Sequence, residues 1–185
     1  MVALSFCRRS RQTWKTTGLP FAISIVLVLL SFITATELLA QTNVEQGKLA
    51  ANKALVHKFY EEVINNGKID ALDDLVQPDV LLQLQSDWIS PVTGTNKVIG
   101  TENLKKHYEA FHSIWAKKAE WFKVNFKPED DMIAEGDTVA VRYHRTYLDR
   151  KSKKVVNRTA TCFYKIKDGK IAAMYLLSAG PKYIE

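Results

Sequence analysis

The hydrophobic period of this chain changes once, and that change limits the fold more than any other feature. Up to Trp115 the apolar residues recur at helical spacing; from Trp121 onward they alternate. Leu49, Val56, Phe59, Tyr60, Val63 and Ile64 trace one face of a first helix, opened by a Thr42/Glu45 capping box and stopped at Asn66-Gly67. Asp70 is placed to cap a short second helix carrying Leu72, Leu75 and Val76, which Pro78 closes. Val80–Leu84 reads as a short strand, and Ser86–Gly100, with Pro91, Gly94 and Gly100, as a long loop. Thr101 opens a third helix with Leu104, Tyr108, Phe111 and Trp115 on one face. Period two then predicts strands over Trp121–Phe126, Met132–Ala134, Thr138–Leu148, Val155–Lys167 and Ile171–Ser178, with turns at Glu135-Gly136-Asp137 and at Lys167-Asp168-Gly169-Lys170. Helices followed by an antiparallel meander give an α+β domain over residues 44–180.

Charge separates that domain from what precedes it. The whole chain of 185 residues carries +6, a figure that invites an acidic partner. Residues 1–40 hold Arg8, Arg9, Arg11 and Lys15 against Glu37, and the remainder holds 22 bases against 19 acids, so half of the excess belongs to the leader. Residues 16–36 carry no charge, with the apolar run Phe21–Ile33 at their centre. A basic start, an apolar stretch and a small residue at Ala40 have the form of a secretory signal peptide. The uncharged run also has about the 20 residues a membrane anchor requires. In either form the basic end stays in the cytoplasm and the domain is expected outside it, periplasmic or extracellular.

Several chemistries lack their residues. Two cysteines cannot make a disulfide framework or a multi-cysteine metal site, and with Cys7 in the leader Cys162 is left as a small buried hydrophobe. His107 and His112 lie five apart, roughly 140° around a helix, and cannot clasp one ion. There is no phosphate-cradling glycine loop and no Gly-x-Ser-x-Gly elbow. The basic run Arg150-Lys151-Ser152-Lys153-Lys154 reads as a solvated hairpin tip and not as a nucleic-acid contact. No metal, cofactor or nucleic acid is expected.

The stretch from Asn52 to Val80, with Tyr60, Gly67, Asp70 and Pro78 at its landmarks, resembles the opening of SnoaL-like proteins, which belong to the nuclear-transport-factor-two-like superfamily with the ketosteroid isomerases. Further matches are Gly100-Thr101-Glu102-Asn103-Leu104, the run from Ile133 to Arg142, and the run from Phe163 to Ile171. The resemblance implies a cone-shaped roll: three N-terminal helices packed in a curved antiparallel sheet, with an apolar pocket at the open end and a homodimer as a common state. It implies little about chemistry, because this superfamily hosts cyclases, isomerases, dehydratases and non-catalytic binders.

Strand phase turns that expectation into positions. With Val139 and Val141 facing inward, Tyr143, Arg145 and Tyr147 follow, while Arg142 and His144 face out. Solvated Lys165 and Lys167 place Cys162, Tyr164 and Ile166 inside, and Met174, Leu176 and Ser178 share the inner face of the last strand. The expected pocket is therefore built from Tyr60, Leu84 and Trp88, from Phe111 and Trp115, and from Val141, Tyr143 and Arg145. Cys162, Tyr164, Met174 and Ser178 complete it. Laid on the ketosteroid isomerases, the chain keeps the first-helix tyrosine as Tyr60, but the proton-abstracting aspartate falls on Leu84 and the protonated aspartate on Cys162. Leucine carries no proton and a thiol is a weak donor, so that mechanism is absent as written. Tyr60, Arg145 and the loop carboxylate Asp87 are the remaining catalytic candidates. The leading expectation is a pocket for a small apolar or weakly acidic molecule. The alternatives are a cyclase, isomerase or hydro-lyase, and a dimeric interaction module whose pocket is filled.

Overall fold

The computed structural model describes residues 41–85, 88–127, 131–178 and 182–183. The chain divides into two units, Met1–Asn43 and Val44–Glu185, and the leader expected over 1–40 lies outside the described residues. Among the described residues no helix is long and apolar enough to cross a membrane.

The first helix, α1, runs over 41–59 and widens into a π-helical stretch at Tyr60–Asn65. Residue 41 is already helical, so the Thr42/Glu45 pair does not open the helix as expected. Its end falls where the sequence put it: Gly67 takes φ +66° and the Lys68 amide returns to the Glu62 carbonyl at 2.9 Å. Val56, Phe59, Tyr60, Val63 and Ile64 are all buried, which is the face the spacing predicted.

The second helix is shorter than expected. A 3-10 turn (Ile69–Ala71) leads into α2 (Leu72–Leu75), and Asp70 caps neither. Strand β1 (Val76–Gln83) begins at once, so Pro78 stands inside a strand instead of closing a helix. It is tolerated because the pairing of β1 breaks register between Val76 and Leu81, where a missing N–H costs no ladder bond. The long loop also contains a strand: β2 (Lys97–Ile99) folds back antiparallel on β1, prepared by Thr93 and Thr95, which bond to the Lys97 carbonyl. Helix α3 (Thr101–Lys118) then packs Leu104 and Tyr108 into the core.

The remaining strands match the alternation closely: β3 (Ala119–Asn125), β4 (Met132–Glu135), β5 (Thr138–Asp149), β6 (Val155–Lys167) and β7 (Lys170–Ser178), followed by a short β8 (Lys182–Tyr183) that the sequence reading missed. The sheet order is β2-β1-β7-β6-β5-β3; β4 shares the β5 edge with β3, and β8 pairs with β6. The expected all-antiparallel sheet needs one correction, because β1 and β7 run parallel. Two strands at opposite ends of the domain can lie side by side this way, since the intervening helices and strands form the crossover a parallel pair demands. Register shifts in β3, β6 and β1 bend the sheet around α1 and α3.

The inward phase holds. Val139, Val141, Tyr143, Arg145 and Tyr147 are buried, and Cys162, Tyr164 and Ile166 are buried while Phe163, Lys165 and Lys167 are exposed. The tip between β5 and β6 is the expected hairpin, capped by Asp149, whose carboxylate accepts from the Ser152 amide and hydroxyl.

Candidate functional site

The inner faces of β1, β5, β6 and β7 and the apolar faces of α1 and α3 enclose a cavity of about 410 Å3. That volume lies within the roughly 300–1,000 Å3 of small-molecule sites. Of the twelve pocket positions expected from the sequence, Tyr60, Leu84, Trp88, Phe111, Trp115, Tyr143, Arg145, Cys162, Tyr164 and Met174 line it. Val141 is instead fully buried in the core beside the cavity. The Ser178 side chain and Asp87 lie outside the described residues.

The floor is aromatic. Tyr60 touches Phe59, Phe126, Tyr143 and Tyr164 with ring centroids 4.9–6.0 Å apart, edge to face with Phe59 and Tyr164 and tilted against Phe126 and Tyr143. The Tyr164 hydroxyl donates to the Tyr60 hydroxyl at 2.7 Å. Burial pushes the hydroxyls of Tyr60, Tyr108, Tyr143 and Tyr164 upward, so all four are neutral near pH 7. Tyr60 is therefore both core and cavity wall. Cys162 stands where the resemblance puts a protonated aspartate; burial pushes its thiol to about 12, and its Sγ lies 3.9 Å from the Phe163 carbonyl. A neutral thiol there is neither nucleophile nor strong donor.

Arg145 is the polar residue the phase argument singled out. It is 2% exposed, and its guanidinium lies 5.1 Å from the Trp88 ring centroid and 5.9 Å from that of Tyr143. Such stacking is worth about 0.5–2 kcal/mol and fixes the plane of the group. Trp88 and Arg145, from the loop and from β5, are thus brought together as two parts of one wall.

Of the lining residues that the sequence did not single out, two bear on chemistry. Arg158 on β6 is the register partner of Arg145 on β5. The alternation that put Cys162 inside, continued backward through Ala160, reaches Arg158. His107 is the other. It sits three residues after Leu104 and four before Phe111, on the apolar face of α3. His107 is buried, and its Nδ1 lies 3.0 Å from Ser90 Oγ. Ser90 is held by the loop itself: its amide donates to the Thr95 carbonyl and its hydroxyl accepts from the Val92 amide. Burial pulls the His107 imidazole down to about 4, so it is neutral at pH 7. His112 does structural work, bonding the Val63 carbonyl at 2.8 Å through Nε2.

Among the described residues no group of metal-ligating side chains converges, and no carboxylate lines the cavity. The wall offers neutral hydroxyls, one neutral imidazole and cationic groups in an apolar chamber.

A family model described as a SnoaL-like domain matches residues 56–174. Among solved structures, the chain is similar to wild-type IdmH, a candidate polyketide cyclase from Streptomyces antibioticus (TM-score 0.56, 16% identity, covering 69% of this chain and 91% of that one). It is also similar to a candidate SnoaL-like polyketide cyclase from Jannaschia (TM-score 0.54, 17% identity, 70% and 85% covered). A third is a candidate ketosteroid isomerase from Kribbella flavida (TM-score 0.51, 16% identity, 71% and 80% covered). No curated protein matches the chain.

Proposed function

We propose, for a chain that belongs to the SnoaL-like domain family, that its domain binds a small, largely apolar molecule in the cone. The observation that carries this is the cavity of about 410 Å3, left open among Trp115, Tyr143, Tyr164 and Met174, which a filled interaction module would need to close. Ring faces supply the contact area, and the few polar groups orient the occupant. The test is a titration of the full-length protein with the neutral fluorophore N-phenyl-1-naphthylamine. Saturable binding is expected, and it should vanish in Leu84→Trp, which fills the chamber while keeping the wild-type circular dichroism spectrum. Absence of saturable binding to the wild type would end this reading.

His107 favours a second reading, that of an acid–base enzyme. A neutral imidazole fixed at Nδ1 by Ser90 leaves Nε2 for the occupant. In the tautomer whose Nδ1–H donates to Ser90 Oγ, the Nε2 lone pair is a general base, and the Tyr60 hydroxyl an oxyanion donor. Asp87, the base expected from the sequence, lies outside the described residues. The probe is 2-tetralone in deuterium oxide: exchange at its α-carbon should be catalysed by the wild type and fall to the buffer rate in His107→Ala. Wild-type exchange no faster than buffer would exclude the enzyme reading and leave binding.

We also place the domain outside the cytoplasm, on the charge pattern of residues 1–40. A C-terminal alkaline phosphatase fusion should be active in a bacterial host, and an inactive one would reverse the topology. Phe163, Tyr175 and Leu177, exposed on the outer sheet face, support a homodimer surface. Sedimentation showing a monomer at every concentration would remove it.

A further inference from the structure

The Ser90 hydroxyl has one hydrogen and, among the described residues, one acceptor for it. The residue is fully buried. Its Oγ accepts from the Val92 amide at 3.2 Å, its amide donates to the Thr95 carbonyl, and its carbonyl accepts from the Gly94 amide. The remaining polar contact is His107 Nδ1, 3.0 Å from Oγ. Burial keeps the imidazole neutral at pH 7, so only one ring nitrogen carries a hydrogen. If that nitrogen is Nδ1, Ser90 Oγ accepts twice and its own hydrogen is stranded in the interior. A buried donor without an acceptor is costly. If Nδ1 is bare, the hydroxyl donates to it and the pair is satisfied. The ring hydrogen then sits on Nε2, which makes no hydrogen bond among the described residues, on a side chain that lines the cavity.

We propose that the Ser90 hydroxyl locks His107 in the tautomer that presents Nε2–H to the chamber, and that the preferred occupant is a neutral, largely apolar molecule with a carbonyl oxygen to accept it. This rests on the apolar-ligand reading above, specifies its ligand class and takes the opposite tautomer from the base reading. The His107 ring also meets the Tyr108 ring edge to face at 5.4 Å, so the donor is oriented before an occupant arrives. A fixed donor in an apolar wall selects for the group that pairs with it, because a molecule without an acceptor leaves it unpaired.

The tautomer is read from a long-range proton–nitrogen NMR spectrum of the full-length protein carrying nitrogen-15 histidine at pH 7.5, with the His107 signals assigned by their absence from His107→Asn. A bare Nδ1 and a protonated Nε2 are expected. The reverse pattern would overturn the proposal and restore the lone pair that the base reading needs. The ligand class is read by displacement of N-phenyl-1-naphthylamine with a matched pair, 2-acetonaphthone and its carbon isostere 2-isopropenylnaphthalene. From the wild type to His107→Leu the ratio of ketone to alkene affinity should fall about three- to tenfold, the worth of one neutral hydrogen bond. The ketone should also shift the wild-type Nε2 signal more than the alkene does. An unchanged ratio, or equal shifts, would overturn the carbonyl assignment and keep the apolar pocket. A bound fluorophore that yields to neither compound would do the same. A fluorophore that never binds would end the apolar-ligand reading itself. Should His107→Leu fail to fold, the wild-type spectra with and without each compound still decide.

Discussion

The Tyr164 hydroxyl donates to the Tyr60 hydroxyl across the cone, 2.7 Å apart although 104 residues separate them. The bond ties the π-helical end of α1 to the middle of β6, and both rings are buried. A buried hydroxyl left without its partner costs about 1–3 kcal/mol, while removing both partners restores a matched apolar contact. Tyr164→Phe and Tyr60→Phe should each lower stability by about 1–2 kcal/mol. The double variant should cost less than the sum of the two. Urea unfolding of the four proteins measures that coupling, and strict additivity would show that the two hydroxyls act independently.

The buried His107 makes stability depend on pH in a defined window. Its folded value of about 4 lies below the ordinary 6.5, so the unfolded chain binds more protons between those limits. Stability is full above about pH 6.5 and is lost as pH falls toward 4, by about 3 kcal/mol in all. His107→Asn keeps a hydrogen-bonding atom near the Nδ1 position and removes the titration. Its unfolding midpoint should be flat between pH 5 and 7, where the wild type declines. Asp131, Glu120 and Asp149, whose carboxyls are held low by hydrogen bonds, contribute only at lower pH.

Cys162 should be inert to thiol reagents in the native protein. Its thiol is buried and pushed to about 12, which leaves almost no thiolate at pH 8. In a Cys7→Ser background, dithiobisnitrobenzoate should release no colour from the folded protein and one equivalent in guanidinium chloride. Rapid native reaction would place the sulfur in an open, activated site.

Gly67 stops α1 at φ +66°, a conformation that costs a side chain about 1 kcal/mol or more. A Cβ there would meet the His112 ring at 3.8 Å, an ordinary contact, so the penalty of Gly67→Ala is purely one of backbone. The expected loss is about 1 kcal/mol with ligand binding unchanged. A loss above about 3 kcal/mol would mean that the His112–Val63 bond is displaced as well.

The fold was legible where one residue's environment follows from its neighbours in the chain. The alternation of β5 placed Tyr143, Arg145 and Tyr147 inside because period two is a property of a single strand. The parallel β1–β7 pair was not legible, because partner choice across the length of a domain leaves no trace in local spacing. Pro78 misled for the same reason: it marks a helix end in isolation, and only the register break in β1 makes it acceptable in a strand. In the site, Arg158 was readable from the phase of β6. His107 was half readable: its helical face was in the sequence, whereas its partner Ser90 sits in a loop whose path only the fold supplies.

The β1–β7 pairing also sets an order of events during synthesis. β7 occupies Lys170–Ser178, near the C-terminus, and β1 has β7 on one side and only the three-residue β2 on the other. A chain still being translated can close the β5–β6 hairpin but cannot seat β1, because the strand it needs has not yet emerged. The site wall contributed by Leu82 and Leu84 is thus the last to be completed, and the chamber closes only once β7 has been made and has emerged.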